Sequence, residues 1–341
     1  MTKVLVTGAG GFIGHHLVKH LKSLGYWVRA SDVKEPEYEP TVADEFVQCD
    51  LRRWENCLQV TSGINEVYAL AADMGGMGFI SNSHARILYN NALINFHTLD
   101  AARSNGVERY FYSSSACIYP EYLQTREEVV PLKEEQAYPA QPQDAYGWEK
   151  LVTERLCQHY RDEYGIETRI ARFHNIFGPL GTWDGGREKA PAALCRKVAI
   201  AKLTGATEVE IWGDGRQTRS FCYVDDCVEG IYRLMRSEYR EPLNLGQDRL
   251  VTIDQLADMA AEAAGIRVEK KHIAGPQGVR GRNSDNTRLE KVLGWTPRVT
   301  LEEGMRRTYV WIEAEVIAAL KAGRAVTGSK STSSAAAQVG A

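Results

Sequence analysis

Several short patterns in this chain put reactive side chains at spacings that chemistry uses. Tyr146 and Lys150 form YxxxK within DAYGWEKLVTERL. On a helix, that spacing puts both side chains on one face. An ammonium beside a phenol favours tyrosinate and lowers its pKa from about 10. Tyr146 is therefore a candidate base for a substrate hydroxyl, with Lys150 as its partner; the bland reading is a surface Tyr and Lys on an amphipathic helix. Ser115 ends the run Ser113-Ser114-Ser115 and is placed to hydrogen-bond the same hydroxyl. Cys117, two residues on, has two readings. One is a small buried hydrophobe. The other is a general base, since a neighbouring cation or helix N-terminus brings a thiol of ordinary pKa about 8.5 into working range.

The N-terminal stretch KVLVTGAGGFIG places Gly8, Gly11 and Gly14 as GxxGxxG between an apolar strand and a helix. Such glycines permit a tight turn, close backbone approach to a pyrophosphate, and close helix–strand packing. The helix N-terminus then offers N–H groups and a positive dipole end to phosphates. Phe12 and Ile13 belong to the same candidate cofactor contacts. Asp32 ends the next strand pattern, where a carboxylate accepts hydrogen bonds from the ribose hydroxyls of NAD. It would repel the extra phosphate of NADP, although Lys34 stands nearby. Asp50 has two readings of equal weight: a partner for the adenine amino group, or a helix cap.

These residues need a scaffold. Strand patterns run near 4–7, 27–31, 45–49, 66–70, 109–113 and 168–173, with helical patterns near 12–24, 84–104 and 144–164. Strand–helix alternation of this kind predicts an α/β fold built on a Rossmann-type doubly wound parallel sheet. The chain divides into an NAD-binding part over 1–175 and a smaller mixed α/β C-terminal substrate lobe over 176–318, with some crossing back to the first. Residues 322–341 are small and polar and read as a disordered tail. The length of 341 residues, 44% hydrophobic and 25% charged content fit an ordinary globular protein. A net charge of −3 offers nucleic acid or an anionic membrane no general attraction. Seven scattered cysteines without CxxC or His/Cys metal spacing predict reduced thiols and no metal site. No apolar run approaches the length of a membrane span, and no leader precedes the first strand pattern. The expected location is the cytoplasm.

With GxxGxxG, Ser115 and YxxxK in one chain, the sequence resembles the extended short-chain dehydrogenase/reductase superfamily, the NAD-dependent epimerases and dehydratases. That resemblance implies NAD as cofactor, a sugar nucleotide as substrate and a Ser–Tyr–Lys triad. Relatives that dehydrate carry an Asp–Glu pair directly after the triad serine. Here those positions are Ala116 and Cys117, so dehydration lacks its acid and base. Six segments are similar to the GDP-mannose 3,5-epimerase family: AADMGGMGFI, SSACIYPE, QDAYGWEKL, RFHNIFGPLGTWDGGREKAPAALCRK, WGDGRQTRSF and GVRGRNSDN. The likeness runs from residue 3 to about residue 316.

This resemblance implies that Cys117 is a general base and Lys189 a general acid, flanking a hexose oxidised transiently at C4. It implies inversion at C5 and C3, converting GDP-mannose to GDP-L-galactose, with GDP-L-gulose from C5 alone. It also implies sugar-nucleotide contacts by Gly75, Ser115, Ala116, Asn175, Glu188, Ala190, Lys197, Gln217, Thr218, Arg219 and Arg282, with Asp73 a weaker match. Lys197, Arg219 and Arg282 are the cations suited to a diphosphate; each alternatively reads as a surface cation or ion-pair partner. A homodimer through the helices near 84–104 and 144–164 is implied too. The alternatives are another sugar-nucleotide 4-epimerase or dehydratase, or an idle NAD-binding protein that kept the fold.

Overall fold

Strand β1 (Lys3–Thr7) has Val4, Leu5 and Val6 wholly buried, as a strand covered on both faces requires. In the computed structural model, which describes residues 1–328, it lies inside a seven-stranded parallel sheet, next to the central strand. The other strands are β2 (Trp27–Asp32), β3 (Glu45–Gln48), β4 (Glu66–Ala69), β5 (Arg109–Ser115), β6 (Glu167–Phe173) and Leu243–Leu245. Their order is Leu243–Leu245, β6, β5, β4, β1, β2, β3, with every pairing parallel.

Alternation along the strands sends side chains to two cores. Leu5, Val67, Tyr110, Tyr112 and Ile170 meet α2 (Trp54–Thr61), α4 (His84–Ser104) and α5 (Ala145–Tyr164). Val4, Val6, Val28, Phe111 and Ala171 meet α1 (Phe12–Ser23) and α7 (Val224–Arg236) on the opposite face. A four-residue helix, α3 (Met77–Ile80), precedes α4.

Most boundaries shift by a residue from the sequence expectation, and two of the shifts have a plain physical reason. β5 continues to Ser115, because Ser113–Ser115 pair with Ala171–Phe173 of β6. α5 starts at Ala145, where the Asp144 carboxylate caps the Gly147 amide at 2.9 Å.

After β6 come α6 (Ala190–Thr204), α8 (Ile253–Ala264), α9 (Thr287–Leu293) and α10 (Leu301–Lys321). α6, α8 and α10 pack on one another. Short strands accompany them, among them the parallel pair Thr218–Arg219 and Gly281–Arg282. The chain returns to the large sheet through α7 and Leu243–Leu245. Of the expected tail, residues 322–328 are placed against the fold: Val326 is buried and Thr327 bonds Arg196. Residues 329–341 lie outside the described residues.

His174, just beyond β6, is fully buried and meets Asn244 Oδ1 through Nε2 at 3.0 Å. Its Nδ1 has no partner, and burial draws its pKa down to about 3. The fold therefore holds a neutral imidazole that the unfolded chain protonates near pH 6.5. The associated stability is complete above pH 6.5 and is lost as pH falls from 6.5 toward 3, by several kcal/mol in all, on the order of 1.4 kcal/mol per pH unit. Urea melts of the wild type and of His174→Gln across that window should converge as pH drops. Parallel curves would remove His174 as the acid-sensitive group.

Candidate active site

The turn from β1 into α1 forms one wall of a cavity of about 670 Å³. Gly8 takes φ +68. A Cβ on Gly14 would lie 2.1 Å from the Gly8 carbonyl oxygen, so helix and strand touch backbone to backbone. No side chain caps α1 at Gly11, which leaves first-turn N–H groups for an acceptor from outside the helix. Gly8, Gly11, Phe12, Ile13, Gly14, Asp32 and Asp50 all line the cavity, together with Gly75 and Lys189. Gly10, outside the GxxGxxG positions, matters as much. Its amide donates to Asp32 Oδ2 at 3.0 Å, and a Cβ there would stand 2.0 Å from the Lys34 carbonyl oxygen.

Burial pushes the Asp32 carboxyl up, against hydrogen bonds from the Lys34, Val33 and Gly10 amides. The Lys34 ammonium is turned to Glu37 at 3.3 Å. Asp50 serves the turn before α2: it accepts from the Arg52 amide at 2.9 Å and grips the Arg52 guanidinium, which holds its pKa down. Asp50 still lines the cavity. The residues present thus fit a dinucleotide: bare helix N–H groups for pyrophosphate, and a carboxylate at the end of β2 for ribose.

At the end of β5 the chain makes a 3-10 turn, Ala116–Ile118, whose Cys117 amide donates to Ser115 Oγ at 3.1 Å. The Ser115 hydroxyl stands near the Tyr146 phenol and works to lower its pKa. Lys150 is buried beneath, 5.5 Å from the Tyr146 ring, and its ammonium donates to the Ser113 carbonyl at 2.9 Å. The triad is assembled, but the predicted tyrosinate is not favoured in this structure. Burial pushes Tyr146 well above the ordinary phenol range, helped by repulsion from Cys117 and Glu149. Burial also lowers Lys150. Met74, Met77, Phe79 and Ile80 roof Tyr146 and Cys117.

Arg282 reaches the thiol from the C-terminal lobe. Its Nη1 donates to Cys117 Sγ at 3.2 Å and its Nε to Gln124 Oε1 at 2.5 Å. Such a charge-assisted bond strengthens as sulfur gains negative charge. Arg219 pairs with Arg282 across the short parallel strands. Among the described residues its guanidinium donates only to main-chain carbonyls, of Thr218, Gln277 and Val279. Burial, and then Arg282, bring Arg219 down to about 9. Neither arginine has an ion-pair partner among the described residues, an arrangement that favours an incoming anion. Beside them, buried Gln217 leaves Oε1 without a hydrogen bond, and Thr218 Oγ1 donates to the Glu127 carbonyl. Asn175 Nδ2 donates to the Ser220 carbonyl at 2.9 Å.

Lys189 caps the start of α6, directly before Ala190. Its side chain is open to the cavity yet surrounded by protein. That enclosure lowers its pKa, and the nearby Cys117 opposes the shift. Glu188 is committed to its own loop, accepting from Gly186 N and Arg196 Nη2, both at 2.7 Å. Lys197 donates to the Glu210 carbonyl at 2.6 Å and stands 5.8 Å from the Trp212 ring.

Four participants were missed or weakly read in the sequence. Gln124 orients Arg282. Arg187 lies over the Phe79 ring at 4.0 Å and pairs with Asp73 at 3.4 Å. Arg196 holds Glu188. Asp73 further accepts from Arg86 and Asn90. Arg187 stands inside the GGREKAP segment already singled out; nothing local marks Gln124.

The model of the "NAD dependent epimerase/dehydratase family" matches residues 4–246. The chain belongs to that family. It is 54% identical over 316 residues to GDP-mannose 3,5-epimerase of Arabidopsis thaliana, covering 92% of this chain and 83% of the relative. A UDP-glucose 4-epimerase from Thermotoga maritima superposes with TM-score 0.82 at 28% identity, over 92% of this chain and all of that one. The UDP-glucose 4-epimerase of Thermus thermophilus, solved with NAD, gives TM-score 0.78 at 25% identity, over 91% of this chain and 99% of its own.

The crowding at Gly10 supplies a test. In Gly10→Ala the new methyl meets both the Lys34 carbonyl and the Asp32 carboxylate, so NAD affinity should fall at least roughly tenfold, about 1.4 kcal/mol. Calorimetric titration measures it, and an unaltered affinity would exclude this turn from the cofactor site.

Proposed function

We propose that the protein epimerises GDP-D-mannose at C3 and C5 to GDP-L-galactose, with GDP-L-gulose arising from inversion at C5 alone. The observation that carries this reading is the meeting of three groups from distant segments: the Cys117 thiol, the Arg282 guanidinium on it, and the Lys189 amine within electrostatic reach. A relative of 54% identity bearing that activity supports it.

Tyr146 takes the proton of the C4 hydroxyl, with Ser115 as its hydrogen-bond partner and Lys150 behind it. NAD, when bound, supplies hydride acceptance at C4 and hydride return, with a cationic ring that favours a charged tyrosine. The C4 ketone acidifies both neighbouring C–H bonds. Cys117 removes a proton from C5 and Lys189 delivers one to the opposite face; the same pair then works at C3. A lysine with lowered pKa gives up its proton more readily near neutral pH. Arg219 and Arg282 carry positive charge for the nucleotide diphosphate, and Gly75, Ala116, Asn175, Glu188, Ala190, Lys197, Gln217 and Thr218 complete the substrate's surroundings.

The protein works as a homodimer in this reading. Leu88, Tyr89 and Phe96 of α4 and Trp148 and Val152 of α5 are exposed, and the two helices lie side by side. A two-fold axis there would bury the patch against its own copy. All seven cysteines are free, which suits the reducing cytoplasm.

Incubation with GDP-mannose in heavy water, read by NMR, should place deuterium at C3 and C5; a plain 4-epimerase incorporates none. In Cys117→Ala, exchange at C5 should vanish while NAD still binds, and normal exchange would refute the base assignment. Lys189→Ala should form no product, and near wild-type turnover would remove it from the mechanism. The double variant Tyr89→Glu/Trp148→Glu should run as a monomer in light scattering; a persisting dimer would move the interface elsewhere.

A further inference from the structure

We propose that the C-terminal segment 324–328 is part of the catalytic scaffold: through Arg196 it braces the loop carrying Glu188 and Lys189, making Arg196 a positioning residue. The catalytic half of this inference rests on the general-acid reading of Lys189.

The loop between Gly178 and Lys189 has no regular structure, and Gly185 and Gly186 take φ of +91 and +87. It needs holds from outside. On the cavity side, the Gly76 amide donates to the Arg187 carbonyl at 3.0 Å and Asp73 pairs with Arg187. On the far side the hold is Arg196, on the second turn of α6 and 2% exposed. Its Nε donates to the Trp183 carbonyl at 3.0 Å and its Nη2 to Glu188 Oε1 at 2.7 Å. Its Nη1 donates to the Thr327 carbonyl and lies 3.5 Å from Asp184 Oδ1.

Asp184 in turn accepts the Thr327 amide at 3.3 Å. One loop carboxylate and one helix guanidinium therefore read both main-chain groups of a single C-terminal residue. Val326 is buried beside this contact, and the Arg324 guanidinium lies over the Trp183 ring at 5.2 Å. The segment thus seals Trp183 and fixes the third edge of a guanidinium whose other edges set the loop. Lys189 is the next residue after Glu188, so releasing that carboxylate loosens the backbone from which the amine extends. The sheet and the Gly8–Gly14 turn are built from segments that the 324–328 stretch does not touch through these bonds.

The test uses the full chain with Val326→Asp, which drives a carboxylate into an apolar slot and expels the segment. The pH dependence of Lys189 acylation by limiting acetic anhydride is read by mass spectrometry, alongside NAD affinity and turnover of GDP-mannose. The titratable groups facing Lys189 are Cys117 and Cys227, and neither is altered. In the wild type the labelling midpoint should lie below the ordinary lysine range. In Val326→Asp it should rise toward that range, with turnover down roughly ten- to a hundredfold and NAD affinity unchanged. Arg196→Gln should reproduce both effects. If Val326→Asp fails to fold, Val326→Ala takes its place with smaller shifts of the same sign. An unmoved midpoint in the folded variants overturns the brace, whatever the substrate proves to be. A moved midpoint with unaltered turnover overturns its part in catalysis.

Discussion

Glu154 and Arg172, taken out of water together, are the interaction on which the geometry of the site depends. Both are almost wholly buried, and the guanidinium grips the carboxylate through Nε and Nη2. Leaving either alone would cost about 3–5 kcal/mol, so the pair must form, and it forms only in company. Ser114 donates to Glu154, which fixes the end of β5 directly before Ser115. Arg172 also donates to the Tyr119 hydroxyl at 3.2 Å and the Glu134 carbonyl at 2.7 Å. Tyr119 continues to Asn244 on the seventh strand at 2.7 Å. The short turn bearing Cys117 is thereby tied at one end to the sheet and at the other to the strand that returns from the second half.

Upon this anchored turn the two halves bring opposite electrostatics. The N-terminal half supplies bare helix N–H groups and the Asp32 carboxylate. The second half supplies cations without counter-charges among the described residues: Arg219 and Arg282 paired across a strand, and Lys189 at the edge of the cavity. Burial first, and then the neighbouring Arg282 charge, bring Arg219 down to about 9, so the two guanidinium groups repel each other. An anionic ligand relieves that repulsion on arrival, so charge complementarity and binding strength come from the same groups.

What was legible in the sequence is what neighbours along the chain decide. GxxGxxG, Asp32, Ser115 and the YxxxK pair declare themselves within a few residues, and the helices and strands bearing them fall where periodicity places them. The rest is set by contacts between distant residues. Arg282 meets Cys117 across 165 positions, and Arg196 meets Thr327 across 131. The strand Leu243–Leu245 is too short to show a period, and α2 is an eight-residue helix with a mixed face. Tyr146 was found by type and spacing, but the direction of its pKa was not, because enclosure by Met74, Met77 and Phe79 has no signature in the YxxxK pattern. Gly10 was passed over because its duty, clearance for the Lys34 carbonyl, arises only once β2 lies alongside.

The seventh strand has a consequence for how the molecule is divided. Cutting the chain after residue 175 would bare the Ala171–Phe173 edge of β6 and strip away α7, which covers one face of the sheet beside α1. An uncovered strand edge is a template for pairing with other chains. The sheet that carries the GxxGxxG turn is therefore completed by residues that follow β6 by some seventy positions.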